Sequence, residues 1–300
     1  MKLELLLEDF CHHSKYIRGV SENTVKRYKQ KVGFFITSMG VTTTDEVTQR
    51  TVHAFFMYGR SEKKWKASSY RTYHMSLLVF LRYGVKLGYF EENYADHIEV
   101  PKLEKSLPKA LKKDEAYRIL EYAKNIPYTQ SFVRYRNHAL FAVFLYAGLR
   151  KSEALNLKLA DVDLENRTLF VRQGKGNKDR IIPMSFTLVQ ILKTYFEERT
   201  KQKKTCIQFF VCSNRDRGFN ESGLKLITNR LKQTTKIDFN IHKLRHTFAT
   251  LMVEGGCDIF SLSKMLGHSD IKTTTIYLSA SAKHLRSQVM KHPLNSLELV

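Results

Sequence analysis

Hydrophobic residues in the first hundred positions recur every three or four residues, which is the period of an amphipathic α-helix. Residues 21–40 begin with Ser21, a favourable N-cap, and end at Gly40, which stops a helix. The apolar positions of this segment are Val25, Tyr28, Val32, Phe35 and Ile36. Similar spacing returns over residues 47–60 and 68–90. The pattern predicts an all-α domain over residues 1–100.

A change of composition follows this helical region. Residues 100–115, "VPKLEKSLPKALKKDE", contain two prolines and five lysines but few large apolar side chains. Segments rich in proline and charge are typical of linkers. We therefore expect a linker over residues 101–110 and a second domain over residues 111–300.

The second domain mixes helical and strand-like patterns. "RTLFVR" (167–172) and "RIIPM" (180–184) flank a turn rich in Gly, Asn and Asp, which predicts a β-hairpin, and "QFFVC" (208–212) predicts a further short strand. Helices are predicted at 113–125, 131–148, 151–157, 186–201, 220–236, 241–254, 258–266 and 279–291. The expected fold class is therefore an all-α domain followed by a mainly α domain with a small β-sheet.

The net charge of the chain indicates what kind of partner it binds. There are 50 Lys and Arg residues against 29 Asp and Glu, a net charge of +21. Residues 1–100 contribute +4 of this charge and the remainder of the chain contributes +17. Such a surplus favours a polyanion, with nucleic acid ahead of a membrane surface. A basic surface without a polyanionic partner remains an alternative at this point.

The sequence shows no membrane span, no signal peptide and no paired cysteine motif. The longest apolar run, residues 139–149, is shorter than the roughly 18 residues that cross a bilayer, and the N-terminus lacks a signal-peptide cleavage site. The cysteines show no C-x-x-C spacing, so neither a disulfide framework nor a zinc site is expected. They are Cys11, Cys206, Cys212 and Cys257. We expect no membrane association and a cytoplasmic location.

The stretch "IHKLRHTFAT" (241–250) combines an apolar helix face with two histidines and an arginine. At about 100° per residue, His242, Arg245 and His246 lie opposite the apolar stripe and should face solvent or a ligand. The stripe comprises Leu244, Phe248, Leu251 and Met252. An HExxH metalloprotease is excluded, and an arginine between two histidines suits a phosphate better than a metal ion. A solvated polar face remains open.

Two further segments contain cations in exposed settings. Arg150 follows the end of an apolar helix and could bind two oxygens of one phosphate, with Glu153 three residues later to hold its guanidinium. Lys175 lies between two glycines at the predicted hairpin tip, in a sequence that is not a P-loop. A surface salt bridge and an ordinary basic turn are the simpler interpretations.

A last segment supplies a possible nucleophile. His268 follows Gly267 at a predicted helix end, and Tyr277 lies nine residues later on a predicted short helix. A phenol near cations can act as a nucleophile, although a buried tyrosine can also simply pack. Together these residues suit a phosphodiester attacked by a side chain, with cations in place of metal ions. We predict neither a metal nor a cofactor.

These segments, in their order, resemble the signature segments of the tyrosine recombinases, in particular Xer-type recombinases and compact phage or mobile-element integrases. The matching segments are "AGLRKSEALNL", "GKGNKDRIIP", "HKLRHTFATLM" and "LGHSDIKTTTIY". The resemblance covers essentially the whole chain, including the linker at the usual join between domains. It implies a site-specific DNA recombinase that works through a 3′-phosphotyrosyl intermediate and a Holliday junction.

The resemblance also implies residue roles. Arg150 and Arg245 would hold the non-bridging oxygens of the scissile phosphate, and His268 would add a hydrogen bond to it. Tyr277 would attack, and Lys175 would protonate the departing 5′ oxygen. The remaining members are His242, as proton acceptor or phosphate ligand, Glu153, as support for the site, and His246, in a structural role.

The implied partner is double-stranded DNA with paired inverted-repeat half-sites. In this family the helical core-binding domain (SAM-like) and the catalytic domain enclose the duplex. Four protomers, identical or of two kinds, exchange strands for integration, inversion or dimer resolution, and residues 279–300 would form the tail that docks on a neighbouring protomer. A type IB topoisomerase-like enzyme and a non-catalytic DNA-binding relative are the alternatives.

Overall fold

The computed structural model describes residues 1–103, 110–128, 130–172, 179–268 and 270–280. The chain divides into two compact units, Met1–Lys105 and Ser106–Val300. Within the described ranges, no helix combines the length and the apolar character needed to cross a membrane.

The first unit is built from helices, as the apolar spacing predicts. Its α-helices are α1 (Leu3–His12), α2 (Glu22–Met39), α3 (Gln49–Ser61) and α4 (Ala67–Lys86), with a π-helical turn at His13–Ile17 and a 3-10 turn at Thr44–Glu46. The predicted boundaries of α2 are confirmed. The Ser21 hydroxyl accepts a hydrogen bond from the backbone N–H of Thr24, and Gly40 ends the helix in the left-handed conformation at φ +66°.

Aromatic side chains fill the core of this unit. Phe10, Phe35, Phe55 and Phe80 are each 0% exposed. Their rings pack edge-on or tilted, as in the 5.1 Å contact between Phe35 and Phe55. Most of the aromatic residues that alternate with Lys and Arg along the sequence thus serve packing.

The second unit is also mainly helical. Its helices are α5 (Lys113–Asn125), α6 (Ser131–Tyr146), α7 (Lys151–Asn156), α8 (Phe186–Lys201), α9 (Glu221–Thr235), α10 (Ile241–Glu254), α11 (Ile259–Leu266) and α12 (Lys272–Ala280), with a 3-10 turn at Leu159–Asp161. Helix α6 is central, because both of its faces are buried against α5, α8 and α10. The helix predicted at 279–291 lies outside the described residues beyond Ala280.

A three-stranded antiparallel sheet completes this unit. Strands β1 (Val162–Asp163), β2 (Thr168–Val171) and β3 (Arg180–Pro183) follow in the order β1-β2-β3, and Val171 pairs with Arg180. The predicted hairpin is therefore confirmed. Residues 173–178, where the sequence predicts the hairpin tip with Lys175, lie outside the described residues.

The strand predicted at "QFFVC" is wrong. The segment forms only isolated bridges, Lys158 with Gln208 and Val211 with Gly218. Phe209, Phe210 and Val211 are all buried, so the segment lacks the in-and-out alternation of a strand. Its backbone groups bond instead to non-strand partners, including the Tyr195 hydroxyl, which accepts from the Val211 N–H at 3.2 Å.

Candidate active site

Arg150 occupies the N-cap position of α7, directly after the turn that ends α6. Gly148 makes this turn with φ +61°, and a Cβ there would lie 2.3 Å from a ring carbon of Phe248. Only glycine therefore allows α10 to pack this closely against the turn. Arg150 is partly exposed, and its Nη2 donates to the carbonyl of Gly267 at 3.1 Å.

Glu153 lies beneath Arg150 and binds more than one guanidinium. Arg150 Nη1 donates to its Oε1 at 2.7 Å, while Arg180 donates to both carboxylate oxygens at 2.9 and 2.8 Å. Burial raises the pKa of Glu153, but hydrogen bonds and charge from Arg180 and Arg150 outweigh it and lower the pKa to about 2. Glu153 is thus a buried, ionised carboxylate that fixes the position of Arg150.

Arg180 is a member of this cluster that sequence reasoning missed. It is the first residue of β3, its side chain is 8% exposed, and its Nε donates to the carbonyl of Met265 at 2.8 Å. In β3, Arg180 lies on the same side as the buried Ile182 and opposite the exposed Ile181. Because both neighbours are isoleucine, the sequence alone does not show which side of the strand faces inward. Through Arg180, the strand after Lys175 is bound to both α7 and α11.

Arg245 lies in the middle of α10 with only 3% of its side chain exposed. It donates to the carbonyls of Gly148 at 2.6 Å and Leu266 at 2.5 Å, and its Nη1 is 3.9 Å from a Glu153 oxygen. Burial and the charge of Arg150 lower its pKa to about 10, so it stays protonated at neutral pH. Of the two predicted environments, solvent or a ligand, the structure excludes open solvent for Arg245, because the carbonyls of Gly148 and Leu266 cover its guanidinium.

His268 follows α11 and lies beside Arg245. Its Nε2 is 3.4 Å from Arg245 Nη2 and its Nδ1 is 2.8 Å from the hydroxyl of Thr274, a fully buried residue. Burial and the charges of Arg245 and Arg150 lower the pKa of His268 to about 4, so the ring is neutral. Because arginine can only donate, Nε2 accepts and Nδ1–H donates to Thr274 in this state. Thr274 is a second residue that sequence reasoning missed.

Tyr277 on α12 is brought to the same place. Its side chain is 2% exposed, and its hydroxyl is 2.7 Å from Nδ1 of His246 on α10. Burial raises the pKa of Tyr277 while Arg245 opposes this, so the phenol is protonated at neutral pH. His242, one turn earlier, is exposed, and its ring centroid lies 4.3 Å from that of His246.

Most of the predicted site residues are therefore close to one another in the structure. Arg150, Arg245 and His268 form a cationic and hydrogen-bonding cluster, and Tyr277 joins it through α12. Lys175 lies outside the described residues. Among the residues that the structure describes, no three His, Cys, Asp or Glu side chains are grouped so as to hold a metal ion. The arrangement suits an anionic group such as a phosphodiester, held by guanidinium groups next to a phenol.

Comparison with known families decides the class of protein. A model described as the phage integrase family matches residues 109–284, and a model of the N-terminal SAM-like domain of phage integrases matches residues 6–89. The chain belongs to the phage integrase family. Its members are tyrosine recombinases, so this chain is an enzyme that breaks and rejoins DNA in site-specific recombination.

Individual members of the phage integrase family match along nearly the whole chain. Tyrosine recombinase XerD of Listeria monocytogenes serotype 4b (strain F2365) is 31% identical over 291 residues, which cover 94% of this chain and 96% of the relative. Tyrosine recombinase XerA of Pyrococcus horikoshii is 32% identical over 296 residues, covering 96% and 94%. These matches favour a recombinase over the topoisomerase-like alternative.

A solved structure in the same family supports the fold. The XerH site-specific recombinase, crystallised with a palindromic difH substrate as a post-cleavage complex, matches with a TM-score of 0.73 at 22% identity. The match covers 95% of this chain and 83% of the XerH chain. The mainly helical architecture with a small antiparallel sheet is thus that of a tyrosine recombinase.

Proposed function

We propose that Tyr277 is the nucleophile of this recombinase and that it attacks a DNA phosphate held by Arg150 and Arg245. The observation that carries the proposal is the convergence of four residues from separate elements on one cluster. They are Arg150 before α7, Arg245 on α10, His268 after α11 and Tyr277 on α12. The products are a 3′-phosphotyrosyl link and a free 5′-hydroxyl.

The two guanidinium groups supply the charge that the reaction needs. Negative charge builds on the non-bridging oxygens as the phosphorus is attacked, and fixed cations in a buried site stabilise that charge strongly. Glu153 and Arg180 hold Arg150 in place, and backbone carbonyls hold Arg245. Because this cluster is assembled before DNA binds, little reorganisation is required when the phosphate arrives.

The remaining predicted residues complete the proposal. His268 hydrogen-bonds to the scissile phosphate, and His242, on the exposed side of α10, contacts the phosphate. Lys175 protonates the 5′ oxygen as it leaves. The phosphotyrosyl ester retains the energy of the broken bond, so a 5′-hydroxyl from another strand can reverse the step without ATP.

We further propose that both units bind duplex DNA with inverted half-sites, the first unit through its helices and the second through the site. The net charge of +21 supports a DNA partner. With such a partner, the proposed location is the cytoplasm, in association with the nucleoid. Exchange of two strand pairs through a Holliday junction requires four active sites, hence a tetramer of identical or paired chains. Residues 279–300 are the proposed contact between protomers.

A nicked suicide substrate tests the nucleophile. Duplexes that bind the protein are selected from a random-sequence library, and nicks placed across the selected site trap the cleaved strand. We expect a covalent protein–DNA adduct in EDTA with the wild type and none with Tyr277→Phe, because phenylalanine lacks the attacking oxygen. Both proteins should shift the intact duplex equally in a gel. An adduct of wild-type yield with Tyr277→Phe would show that Tyr277 is not the nucleophile.

A further inference from the structure

The hydroxyl of Tyr277 has a defined partner before any DNA is present. Its oxygen lies 2.7 Å from His246 Nδ1, and the two rings are tilted at 52° with centroids 5.6 Å apart. The contact joins α12 to α10, and Tyr277 is almost completely buried. A phenol that attacks phosphorus must lose its proton to an acceptor within hydrogen-bond distance.

We propose that His246 is the base that accepts the Tyr277 proton during DNA cleavage. This inference rests on the proposed role of Tyr277 as nucleophile. As the phenol oxygen forms its bond to phosphorus, the O–H bond breaks and the proton moves to the Nδ1 lone pair of His246. At the same time the bond from phosphorus to the 5′ oxygen breaks, and that oxygen receives a proton from Lys175. Reversal returns the proton from His246 to the tyrosine oxygen.

The protonation states of the pair fit this role. Burial, followed by the neighbouring His242 and Arg245, lowers the pKa of His246 to about 4, so its ring is neutral at pH 7. Tyr277 keeps its proton because burial raises its pKa. With the hydroxyl donating to Nδ1, the imidazole holds its own proton on Nε2. A neutral acid therefore already donates to a neutral base.

The charges around His246 oppose its protonation, and a bound DNA phosphate should make it a stronger base. The groups that face it are His242 and Arg245 on its own helix, His268 on the segment after α11, and Tyr277 on α12. The positive charge of Arg245 opposes a second cation on His246. A DNA phosphate on Arg245 offsets that charge, which makes proton transfer to His246 easier. The phenol is thus protected from ionisation until a phosphate is in place.

His242 is less suited to the same task. Its side chain is exposed, and in the described part of the chain its contact in the site is with the ring of His246 rather than with the tyrosine hydroxyl. The two histidines lie one turn apart on the same helix. This makes His242→Ala a matched control for His246→Ala.

Fluorinated tyrosine at position 277 tests the proposal directly. Ring fluorination lowers the phenol pKa, and a more acidic phenol loses its proton more easily and depends less on a base. Single-turnover formation of the covalent adduct is measured on a suicide duplex with natural tyrosine or 3,5-difluorotyrosine at position 277, in each histidine background. With natural tyrosine we expect His246→Ala to slow cleavage by about 10²- to 10⁴-fold, the usual contribution of a general base.

The pattern of recovery separates base catalysis from packing. In the His246→Ala variant, difluorotyrosine should restore most of the lost cleavage rate at pH 8. In the His242→Ala variant, difluorotyrosine should not restore any cleavage rate lost through that substitution. His246→Asn, which keeps a hydrogen-bond acceptor but is a poor base, should remain slow with natural tyrosine. A natural-tyrosine rate within threefold of wild type in His246→Ala, or a defect that difluorotyrosine does not reduce, would overturn the proposal.

The same experiment distinguishes this inference from the proposed function. If the unsubstituted enzyme forms no adduct through position 277, the nucleophile assignment itself fails. If it forms the adduct and only the His246 results disagree, the nucleophile stands and another group takes the proton. Duplex binding measured by gel shift and thermal unfolding of each variant confirm that the compared proteins are folded.

Discussion

Thr274 holds His268 through a hydrogen bond that can run in either direction. The hydroxyl lies 2.8 Å from His268 Nδ1 and can donate or accept. Without DNA, Nε2 accepts from Arg245, so Nδ1–H donates to Thr274. To donate to a phosphate, Nε2 must carry the proton, and Thr274 must then donate to Nδ1. One threonine therefore supports both tautomers that the reaction needs.

Thr274→Val should slow DNA cleavage by about 10- to 100-fold, because a buried ring nitrogen that loses its partner costs about 1–3 kcal/mol. The measurement is single-turnover adduct formation at saturating DNA. Thr275→Val is the matched control, since the Thr275 side chain is exposed and its hydroxyl donates to the Lys272 carbonyl of its own helix. Wild-type cleavage by Thr274→Val would mean that His268 needs no support from this hydroxyl.

At the scale of elements, a single carboxylate joins a helix start, a strand and a second helix. Glu153 near the start of α7 binds Arg180 on β3, and Arg180 in turn donates to the carbonyl of Met265 on α11. Arg150, at the N-cap of α7, completes the contacts by donating to Glu153 and Gly267. These elements are far apart in sequence, so the position of Arg150, a proposed phosphate-binding residue, depends on the tertiary fold.

Glu153 should make the free energy of unfolding decrease at acidic pH. Its pKa falls from an ordinary 4.5 to about 2 on folding, so its contribution is fully present above pH 4.5 and is lost as the pH falls towards 2. The shift corresponds to about 3 kcal/mol. The difference in free energy of unfolding between wild type and Glu153→Gln, measured in urea, should therefore be large at pH 7 and shrink between pH 5 and pH 2. A difference that stays constant across this range would contradict the ionised, buried carboxylate.

The sequence predicts the individual helices and strands around the site better than the tertiary contacts between them. Helix α10 and its apolar positions Leu244 and Phe248 follow from periodicity, and both side chains are buried. The burial of Arg245 does not follow, because a helical wheel shows which face is polar but not which later segment covers it. The inward position of Arg180 depends on strand register. The failed strand at residues 208–212 shows that apolar composition alone misleads when three consecutive side chains, Phe209 to Val211, are all buried.

At the scale of the whole molecule, charge is distributed unevenly along the chain. Residues 101–300 carry +17 of the net +21, and the same region contains the buried arginines of the site. Buried guanidinium groups with fixed partners contribute specific contacts, whereas exposed lysines and arginines contribute a general attraction to a polyanion. Salt weakens the general attraction of the exposed lysines and arginines to a polyanion.

Duplex binding should therefore weaken steeply with salt. Each phosphate neutralised by the protein contributes about −0.9 to the slope of log K against log salt concentration, and we expect a total slope of about −5 or steeper. Fluorescence anisotropy with a labelled duplex between about 50 and 200 mM salt measures it. Tyr277→Phe should give the same slope, since it removes no charge. A slope near zero would be incompatible with a broad basic DNA-binding surface.

Under the proposed mechanism, the contact between His246 and Tyr277 determines which protomer cuts each DNA strand. The hydroxyl is held by a histidine of its own chain, beside the arginines of that chain. The proposed nucleophile and the proposed phosphate-holding groups thus belong to one polypeptide, so the proposed mechanism predicts cleavage in cis. In a mixed assembly, a protomer without Tyr277 would leave its own strand intact, and an intact neighbour would not substitute for it. Under this mechanism, a single protomer carries out each strand cleavage. The other protomers can then influence the timing of that cleavage but not its chemistry.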